Sequence, residues 1–332
     1  MTITEAGAAG GSERPDGAWR LFQGDGAVRE VAFPPAPPWR RFATTGPSPE
    51  PGESFAPRPY LIGPDEADIV NAALHLRRPL LVTGHPGTGK SSLAHAIAHE
   101  LALGRVLHWP VNSRSTLQDA LYQYDAVGRL RDVGLRRDAD GREPDIGQYV
   151  RLGPLGNALV ARDRPRVLLI DELDKGDVDL PNDLLTVFEE GEFAIPELTR
   201  LAELDATVHV QTDDLDHPAP VTRGRIRCRE FPVVVITSNG ERDFPPAFLR
   251  RCVRLDLPEP DEQRLRDIVA AHLGRNALGG VDDLVEQFLS RRAPGELATD
   301  QLLNAVFLRR SGVDLDAGRL LEAVLHQLGG AV

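Results

Sequence analysis

The sequence predicts an α/β fold: a three-layer domain of parallel strands and helices, followed by a small all-helical domain. Over the middle of the chain, short continuous apolar runs alternate with helix-like stretches, which is typical of strands buried on both faces of a parallel sheet. From about residue 258 onward, apolar residues recur at spacings of three and four, which predicts helices alone. With 332 residues, the chain is long enough for both domains.

Residues 1–58 precede the predicted domains and are rich in proline and glycine, as in "FPPAPPWRRFATTGPSPEPG". This composition predicts a largely disordered N-terminal segment. Its aromatic residues are Trp19, Phe22, Trp39 and Phe42. They are either short anchors that dock on a partner or isolated hydrophobes that pack on the main body of the protein.

Residues 59–257 contain the alternating pattern of the α/β domain. Strands are predicted for "PLLVTG", "RVLHWPV", "RVLLID" and "FPVVVITSN". Helices are predicted for "GKSSLAHAIAHELAL" and "LPNDLLTVFEEGE", which follow the first and third strands. Two insertions, near residues 126–151 and 192–230, interrupt the alternation, and the first is turn-rich and charged.

The second insertion ends in arginines at every second position: Arg223, Arg225, Arg227 and Arg229. On a strand, this period places all four side chains on one face. The face is either a solvated hairpin edge protected by charge or a basic stripe that meets an acidic partner or a central pore.

Residues 258–332 contain four helix-like stretches: "EPDEQRLRDIVAAHLG", "VDDLVEQFLSRR", "ATDQLLNAVFLRR" and "LDAGRLLEAVLHQLG". Gly274, Gly295 and Gly312 lie near the breaks between them, where glycine commonly ends a helix. We therefore predict a helical domain here.

Composition narrows the class of protein. There is no apolar run of about 18 residues and no apolar signal core at the N-terminus, so we expect a cytoplasmic protein that does not enter a membrane. Cys228 and Cys252 lack metal-like spacing and are expected to be reduced thiols. The net charge of −12 argues against nucleic acid as a partner, and so against a DNA-directed motor.

The strongest functional motif is "GHPGTGKS", which runs from Gly84 to Ser91 and fits G-x-x-x-x-G-K-[ST]. In such a loop, glycines let backbone N–H groups surround phosphate oxygens, and the following helix points its positive end at them. The lysine reaches the β- and γ-phosphates of ATP and the serine hydroxyl binds Mg²⁺. The predicted nucleotide-binding residues here are His85, Pro86, Gly87, Thr88, Gly89, Lys90, Ser91 and Ser92.

Lysine is otherwise almost absent from the chain. Of 38 lysine and arginine residues, only Lys90 and Lys175 are lysines. A flexible ammonium threads into a phosphate-binding loop where a planar guanidinium fits poorly, so arginine cannot substitute at position 90. The alternative, a glycine turn beside a chance lysine, does not account for the strand before the loop and the helix after it.

A second acidic motif, "RVLLIDELDK", places two carboxylates at the carboxyl end of a predicted buried strand. We predict that Asp171 holds Mg²⁺ through water and that Glu172 orients and polarises the attacking water. The alternative is that these residues merely end the strand and cap the next helix. The phosphate-binding motif upstream favours the catalytic interpretation.

The stretch "VVVITSNGERDFPPAFLRRC" adds three candidate catalytic residues. Asn239 ends a predicted strand, where its amide would hold the same water, although Asn-Gly is also a common turn pair. Arg250 and Arg251 follow on a predicted short helix. They are either solvated surface charges, or one of them reaches the γ-phosphate bound to a neighbouring subunit.

Together these motifs resemble those of the AAA+ ATPases, and in particular their MoxR-like branch, over residues of about 60 to 325. "YLIGPDEADIVNAALHL" resembles the adenine-contacting segment, with Ile62 and Gly63 as the nucleotide-facing pair. "GHPGTGKSS" is similar to Walker A, "LLIDELDK" to Walker B and "LGPLGNAL" to the segment that precedes Walker B in this branch. Asn239 matches the sensor 1 position and Arg251 the arginine-finger position.

The resemblance implies a P-loop NTPase fold with a five-stranded parallel sheet, a helical lid, and a ring of six subunits with ATP and Mg²⁺ at each interface. It implies an ATP-hydrolysing remodelling chaperone that acts on a protein partner, for which a von Willebrand factor A domain protein is one candidate. It also places Lys175 near a subunit interface, whereas the residue pattern alone fits a charge that balances its acidic neighbours.

The sequence departs from this branch at the third lid helix, where "GELATDQLLNAV" lacks the sensor 2 arginine and only Arg291 and Arg292 precede it. This departure favours an alternative function. The protein would then be a slowly hydrolysing, nucleotide-dependent switch or scaffold in a multi-component system, for which a bacterial conflict system is a candidate.

Overall fold

The structure is a computed structural model that describes residue 21 and residues 33–40, 60–136, 144–201, 207–212, 218–291, 297–315 and 320–325. These residues form two compact units. One unit is drawn from residues 43–261, and the other from residues 262–332 together with the N-terminal 42 residues. None of the described helices is long and apolar enough to cross a membrane.

The first unit contains all the described strands: β1 (Leu80–Thr83), β2 (Leu107–Pro110), β3 (Tyr122–Tyr124), β4 (Val150–Leu152), β5 (Val167–Asp171), β6 (Glu192–Ala194), β7 (Thr207–Val210), β8 (Ala219–Thr222), β9 (Arg225–Arg227), β10 (Val233–Ser238) and β11 (Val253–Asp256). Five of them form a parallel sheet in the order β11-β1-β10-β5-β2. The predicted α/β class with a five-stranded parallel sheet is therefore confirmed.

The helices of this unit are α1 (Pro64–Leu76), α2 (Lys90–Glu100), α3 (Leu117–Leu121), α4 (Ala126–Arg136), α5 (Pro154–Ala158), α6 (Leu180–Glu190), α7 (Pro196–Thr199) and α8 (Pro246–Leu249). Side chains of the central strands alternate between two apolar clusters. On β5, Leu169 packs with α1 and α2 on one side of the sheet, whereas Leu168 packs with α5 and α6 on the other. Continuous apolar runs arise because both faces of the sheet are covered.

The four predicted strands of the sheet correspond to β1, β2, β5 and β10. The fifth, β11, was not recognised from its sequence. It lies at the sheet edge, and only Leu255 of its four residues is buried, while Arg254 and Asp256 are exposed. An edge strand of this kind alternates polar and apolar residues and lacks the continuous apolar run of the buried strands.

The first insertion contains α4 and is flanked by the antiparallel pair β3 and β4. This helix directs polar side chains toward the rest of the unit and leaves apolar side chains exposed. Its polar side chains bond to the rest of the unit, since Arg129 donates to the Tyr124 hydroxyl at 3.1 Å and Asp132 accepts from the Tyr149 hydroxyl at 2.7 Å. Its apolar residues Val127 and Leu130 are exposed.

The second insertion forms an antiparallel sheet in the order β6-β9-β8-β7. The prediction that four arginines share one strand face is wrong, because β9 contains only Arg225 and Arg227 of the four. Arg223 lies in the hairpin turn, where it and Gly224 adopt the positive φ values 51° and 67° that such a turn requires. Arg229 lies beyond the end of the strand.

Three of these four arginines are paired with acidic residues of the same unit. Glu192 forms ion pairs with Arg225 at 3.2 Å and with Arg227 at 3.6 Å, and Arg229 forms an ion pair with Asp163. These contacts favour the interpretation of a solvated, charge-protected edge over that of an unpaired basic stripe.

The second unit is helical, with α9 (Glu262–Leu273), α10 (Asp282–Arg291), α11 (Thr299–Arg310) and α12 (Leu320–Val324) around one apolar cluster. Trp39, in a 3-10 helix at Pro38–Arg40, belongs to this unit. Its indole N–H donates to Asn304 Oδ1 at 3.1 Å and its ring packs edge-on against Phe307, with 5.8 Å between centroids.

Trp39 thus packs on the protein itself. The other three aromatic residues of the N-terminal segment, Trp19, Phe22 and Phe42, lie outside the described residues, as does most of the segment predicted to be disordered. Arg292 and the side chain of Arg291 also lie outside them. The first turn of α11 contains no arginine, as the sequence indicates.

Candidate active site

The predicted motifs meet at one edge of the parallel sheet. β10 lies between β1 and β5, and the three strands run in the same direction. Their carboxyl ends therefore lie side by side, which is where open α/β sheets bind ligands. The "GHPGTGKS" loop follows β1, Asp171 ends β5 and Asn239 follows β10.

The loop after β1 requires glycine at two positions in particular. Gly84 has a φ of 143°, and a Cβ atom there would lie 2.6 Å from the carbonyl oxygen of Leu257. Gly89 has a φ of 91° and immediately precedes α2. The loop therefore ends at the N-terminus of an 11-residue helix, an arrangement that favours phosphate binding.

Lys90 is folded into this loop. Its ammonium donates to the carbonyl oxygens of Gly84 at 2.7 Å and His85 at 2.8 Å, and only 7% of the residue is exposed. Burial lowers the pKa of the ammonium, whereas the nearby carboxylates of Asp174, Asp171 and Glu172 act in the opposite direction. A compact ammonium with three donors suits this position better than a planar guanidinium.

The other loop residues are held by local contacts. The Thr88 hydroxyl donates to the carbonyl oxygen of His85 at 2.9 Å, and the His85 ring lies 4.0 Å from a Glu259 carboxylate oxygen. Pro86 and Gly87 form the turn of the loop, and Ser92 lies in the first turn of α2, next to Ser91.

Ser91 and Asp171 are in direct contact. The Ser91 hydroxyl donates to Asp171 Oδ1 at 2.7 Å, so its own lone pairs remain available to a cation. A hydroxyl beside a carboxylate is the hard oxygen donor set that Mg²⁺ prefers, with water and phosphate oxygens completing the shell. These two residues therefore fit the predicted Mg²⁺ site.

Asp171 also accepts two further hydrogen bonds, from Thr237 at 2.7 Å and from His108 at 3.3 Å. Burial alone would raise the pKa of Asp171, but the hydrogen bonds from His108, Thr237 and Ser91 outweigh it and lower the pKa to about 2. Because the pKa of Asp171 is lower in the folded protein than in the unfolded chain, its ionised carboxylate stabilises the fold. This contribution to stability is present above the ordinary carboxyl pKa and is lost as the pH falls toward about 2. Asp171 therefore remains ionised at neutral pH.

Glu172 follows Asp171 in a left-handed conformation, with a φ of 58°. This turn points its side chain at two partners. Asn239 Nδ2 donates to Glu172 Oε1 at 3.3 Å, and Lys175 Nζ lies 2.8 Å from Glu172 Oε2. The structure thus brings together the two side chains predicted to hold the attacking water.

The loop that carries Asn239 is anchored by Asp174, which the sequence did not single out as a site residue. Asp174 is only 3% exposed, and its Oδ2 accepts from the backbone N–H groups of Asn239 and Glu241, both at 3.0 Å. Thr237 and His108 were missed as well. The available sequence signal was the same for both: a polar residue inside an apolar strand-like run, Thr237 in "FPVVVITSN" and His108 in "RVLHWPV".

The predicted pair Ile62 and Gly63 precedes α1, and the segment lies beside the phosphate-binding loop. A Cβ atom at Gly89 would lie 3.3 Å from the Tyr60 ring. Ile62 packs with Tyr60 on the apolar cluster that includes α2, and the Gly63 N–H donates to Glu66 at 2.6 Å.

The two candidate finger residues differ in their contacts. Arg251 forms an ion pair with Glu189 at the end of α6 and donates to the carbonyl oxygen of Ala247 at 3.1 Å. Its side chain is 41% exposed. Arg250 is exposed at the end of α8, and its carbonyl oxygen accepts from Arg78 at 3.2 Å. Neither arginine is brought to Lys90 or Glu172 of its own chain by any described contact.

Lys175 contacts the predicted catalytic base directly, which bears on its role. The ion pair with Glu172 raises the pKa of the Lys175 ammonium. The two side chains are 40% and 43% exposed, so the pair contributes no more than about 1 kcal/mol.

We expect Lys175→Ala to lower ATP turnover by up to about fivefold, the equivalent of 1 kcal/mol, because Glu172 loses one of the two groups that orient it. ATP affinity should be unchanged, and Lys175→Arg, which keeps a cation, should retain most of the turnover. Steady-state phosphate release over a range of protein concentrations checks this. Wild-type turnover by Lys175→Ala at every concentration would show that Lys175 only balances nearby acidic charge.

A model of the AAA domain, dynein-related subfamily, matches residues 79–252, just over half of the chain. The chain is also similar to ATP-dependent zinc metalloprotease FtsH 3 of Sorangium cellulosum (strain So ce56), with 28% identity over 255 residues. That match covers 71% of this chain and 32% of the relative.

Solved structures with a similar arrangement include NtrX from Brucella abortus in complex with ATP, at 16% identity and a TM-score of 0.42, covering 81% of this chain and 58% of that one. The FIGL-1 AAA domain in complex with ADP matches at 17% identity and a TM-score of 0.33, covering 74% of this chain and 64% of that one. The chain thus spans less than two thirds of the length of each of these relatives. The activities and ligands in their names are properties of those proteins.

Proposed function

The chain belongs to the AAA family, in its dynein-related subfamily, and from that premise we propose that it is an ATPase that remodels a protein partner as a ring of subunits. The observation that carries the proposal is the meeting of three groups at adjacent strand ends. These groups are Lys90 in its glycine loop, the bonded pair of Ser91 and Asp171, and the bonded pair of Glu172 and Asn239.

Each group has a role in phosphoryl transfer to water. Lys90 and the loop N–H groups bind the β- and γ-phosphates. Ser91 and Asp171 would hold Mg²⁺, which neutralises phosphate charge when bound. Glu172 accepts a proton from the attacking water while Asn239 fixes the position of both. Because no described contact brings Arg250 or Arg251 to the Lys90 and Glu172 of its own chain, we assign the finger role to Arg251 of a neighbouring subunit.

The finer assignments follow from the sequence resemblance. They are membership of the MoxR-like branch, six subunits to a ring, and a von Willebrand factor A domain protein as partner. The alternative is a slowly hydrolysing switch or scaffold, and the arginine-free first turn of α11 favours it. A remodelling enzyme should turn over ATP continuously and be stimulated by its partner, whereas a switch should hydrolyse slowly with or without it.

The test is phosphate release by the purified full chain with Mg²⁺ or with EDTA, over a range of protein concentrations. We expect turnover that requires Mg²⁺ and rises per subunit as the protein assembles. The absence of turnover at every concentration, with ATP binding retained, would reject the hydrolysing function and leave the switch.

Lys90→Ala should bind ATP at least about tenfold more weakly, because charge-assisted hydrogen bonds to the phosphates are lost at the only cation inside the loop sequence. Lys90→Arg should also bind poorly, because the planar fork does not fit a site shaped for an ammonium. Equilibrium titration with a fluorescent ATP analogue measures both. Wild-type affinity in Lys90→Ala would place the nucleotide elsewhere.

A further inference from the structure

The hydroxyl of Thr237 lies between the two acidic residues of the site. Thr237 is only 1% exposed and lies on β10. Ile236 pairs with Ile170 across the parallel sheet, so the next residues on the two strands, Thr237 and Asp171, lie side by side. The Thr237 Oγ1 atom is 2.7 Å from Asp171 Oδ1 and 2.8 Å from the backbone nitrogen of Glu172.

The direction of both hydrogen bonds is fixed by chemistry. The Glu172 amide can only donate, so the Thr237 oxygen accepts there. Asp171 is ionised and can only accept, so the single hydroxyl proton of Thr237 points at its Oδ1 atom. Thr237 therefore donates its hydroxyl proton to the carboxylate of Asp171 and, through a lone pair, accepts from the backbone N–H of Glu172.

Both acidic residues need such support. A non-glycine residue in the left-handed region, such as Glu172, is conformationally strained, so its surroundings must hold it there. The bond from its N–H to Thr237 is one restraint, and the bond from the Lys175 N–H to its carbonyl oxygen at 2.9 Å is another. Oδ1 of Asp171 has two hydroxyl donors, Thr237 and Ser91, which fix the orientation of the carboxylate.

We propose that Thr237 is a positioning residue that sets the orientation of Asp171 toward the cation and of Glu172 toward the attacking water. The inference deepens the proposed function and rests on it. Thr237 touches neither substrate nor cation in this role; it acts through the two acidic residues. Loss of such a supporting contact typically costs about 10-fold to 100-fold in metal affinity or activity.

The test compares two substitutions that separate the hydroxyl from the shape of the side chain. Thr237→Val keeps the branched shape and removes the hydroxyl, whereas Thr237→Ser keeps the hydroxyl and removes a methyl group. Thr222→Val, at an exposed position of the hairpin sheet, is the control for loss of a strand hydroxyl away from the site. Unfolding midpoints of all three variants show whether each is folded at the assay temperature.

We expect Thr237→Val to lower kcat by about 10-fold to 100-fold and to raise the KM for ATP by no more than about tenfold, and Thr237→Ser to recover most of both losses. A packing role predicts the opposite order, because valine fills the buried site and serine leaves a methyl-sized gap. Equal losses in both variants, or wild-type kcat in Thr237→Val, would overturn the inference.

A second measurement does not depend on turnover. The affinity for a fluorescent ADP analogue is measured with Mg²⁺ and with EDTA, and the ratio gives the gain due to the cation. Thr237→Val should reduce this gain about tenfold and Thr237→Ser should restore it. If wild type fails to hydrolyse ATP but this pattern holds, hydrolysis is rejected and the action of Thr237 on Asp171 stands. If wild type hydrolyses ATP but neither kcat nor the gain changes in Thr237→Val, the Thr237 inference alone is rejected.

Discussion

Glu172→Gln is expected to bind ATP and Mg²⁺ with close to wild-type affinity and to hydrolyse ATP at least about 100-fold more slowly. The substitution keeps the shape of the side chain, and the amide oxygen can still accept from Asn239, whose Nδ2 lies 3.3 Å from Glu172 Oε1. An amide is not basic enough to take a proton from water, so the chemical step slows while binding persists.

Single-turnover hydrolysis and equilibrium ATP binding separate these two effects. Glu190→Gln is a matched control, since Glu190 is an exposed residue at the end of α6 and the same charge is removed. We expect wild-type rates from the control. If Glu172→Gln turns over ATP within twofold of wild type, Glu172 is not the base.

The charge of Glu172 also supports its ion pair with Lys175. This pair is lost in Glu172→Gln, so a small part of the decrease in the hydrolysis rate comes from the lost contact with Lys175 and not from the lost proton transfer. The two contributions differ in size: the exposed ion pair accounts for up to about fivefold, and loss of a general base for about 100-fold or more. The double variant Glu172→Gln, Lys175→Ala should therefore be no slower than Glu172→Gln alone.

The sequence predicts the parts of the site that follow from local chain geometry. Gly84, Gly89 and Lys90 form one motif because backbone curvature, close approach and charge are all needed within a few residues. The buried strands were equally readable, since both faces of β1, β5 and β10 are covered and their apolar runs are continuous.

The contacts between segments that are distant in the sequence could not be predicted from it. Thr237 reaches Asp171 only because β10 lies next to β5, and nothing in "VVVITSN" specifies that neighbour. In the sequence, Asp174 is only one of several acidic neighbours of Lys175, whereas in the fold its carboxylate anchors the loop of Asn239. In both cases a polar side chain is buried, and its partner is set by the order of strands rather than by the local sequence.

The arginine period at 223–229 shows a different limit. Alternation predicts one face only if the strand is continuous, and the tight turn at Arg223 and Gly224 breaks it. Arg-Gly was the local signal for this turn, because glycine accepts the positive φ that a two-residue hairpin needs.

Arg251→Ala is expected to bind ATP nearly as well as wild type and to hydrolyse it about 10³-fold to 10⁵-fold more slowly, the range for arginine fingers generally. Arg251 has no described contact with Lys90 or Glu172 of its own chain, and its guanidinium is held at the protein surface by Glu189 and Ala247. An arginine held in this way can act on the γ-phosphate of an adjacent subunit. Activity per subunit should therefore rise with protein concentration through the assembly midpoint.

Mixing the two inactive variants separates a finger in trans from a residue that acts within its own subunit. Arg251→Ala subunits keep an intact Glu172, and Glu172→Gln subunits keep an intact Arg251. In a mixed ring, every interface at which a Glu172→Gln subunit presents Arg251 to an Arg251→Ala site is complete, so activity should reappear.

Each variant mixed with wild type, and Arg250→Ala in place of Arg251→Ala, are the controls. Verified mixed rings without recovery, together with wild-type activity that is independent of concentration, would reject a finger in trans. If Arg250→Ala instead is inactive alone and recovers on mixing, the mechanism holds and the finger is Arg250, whose side chain is exposed at the end of α8.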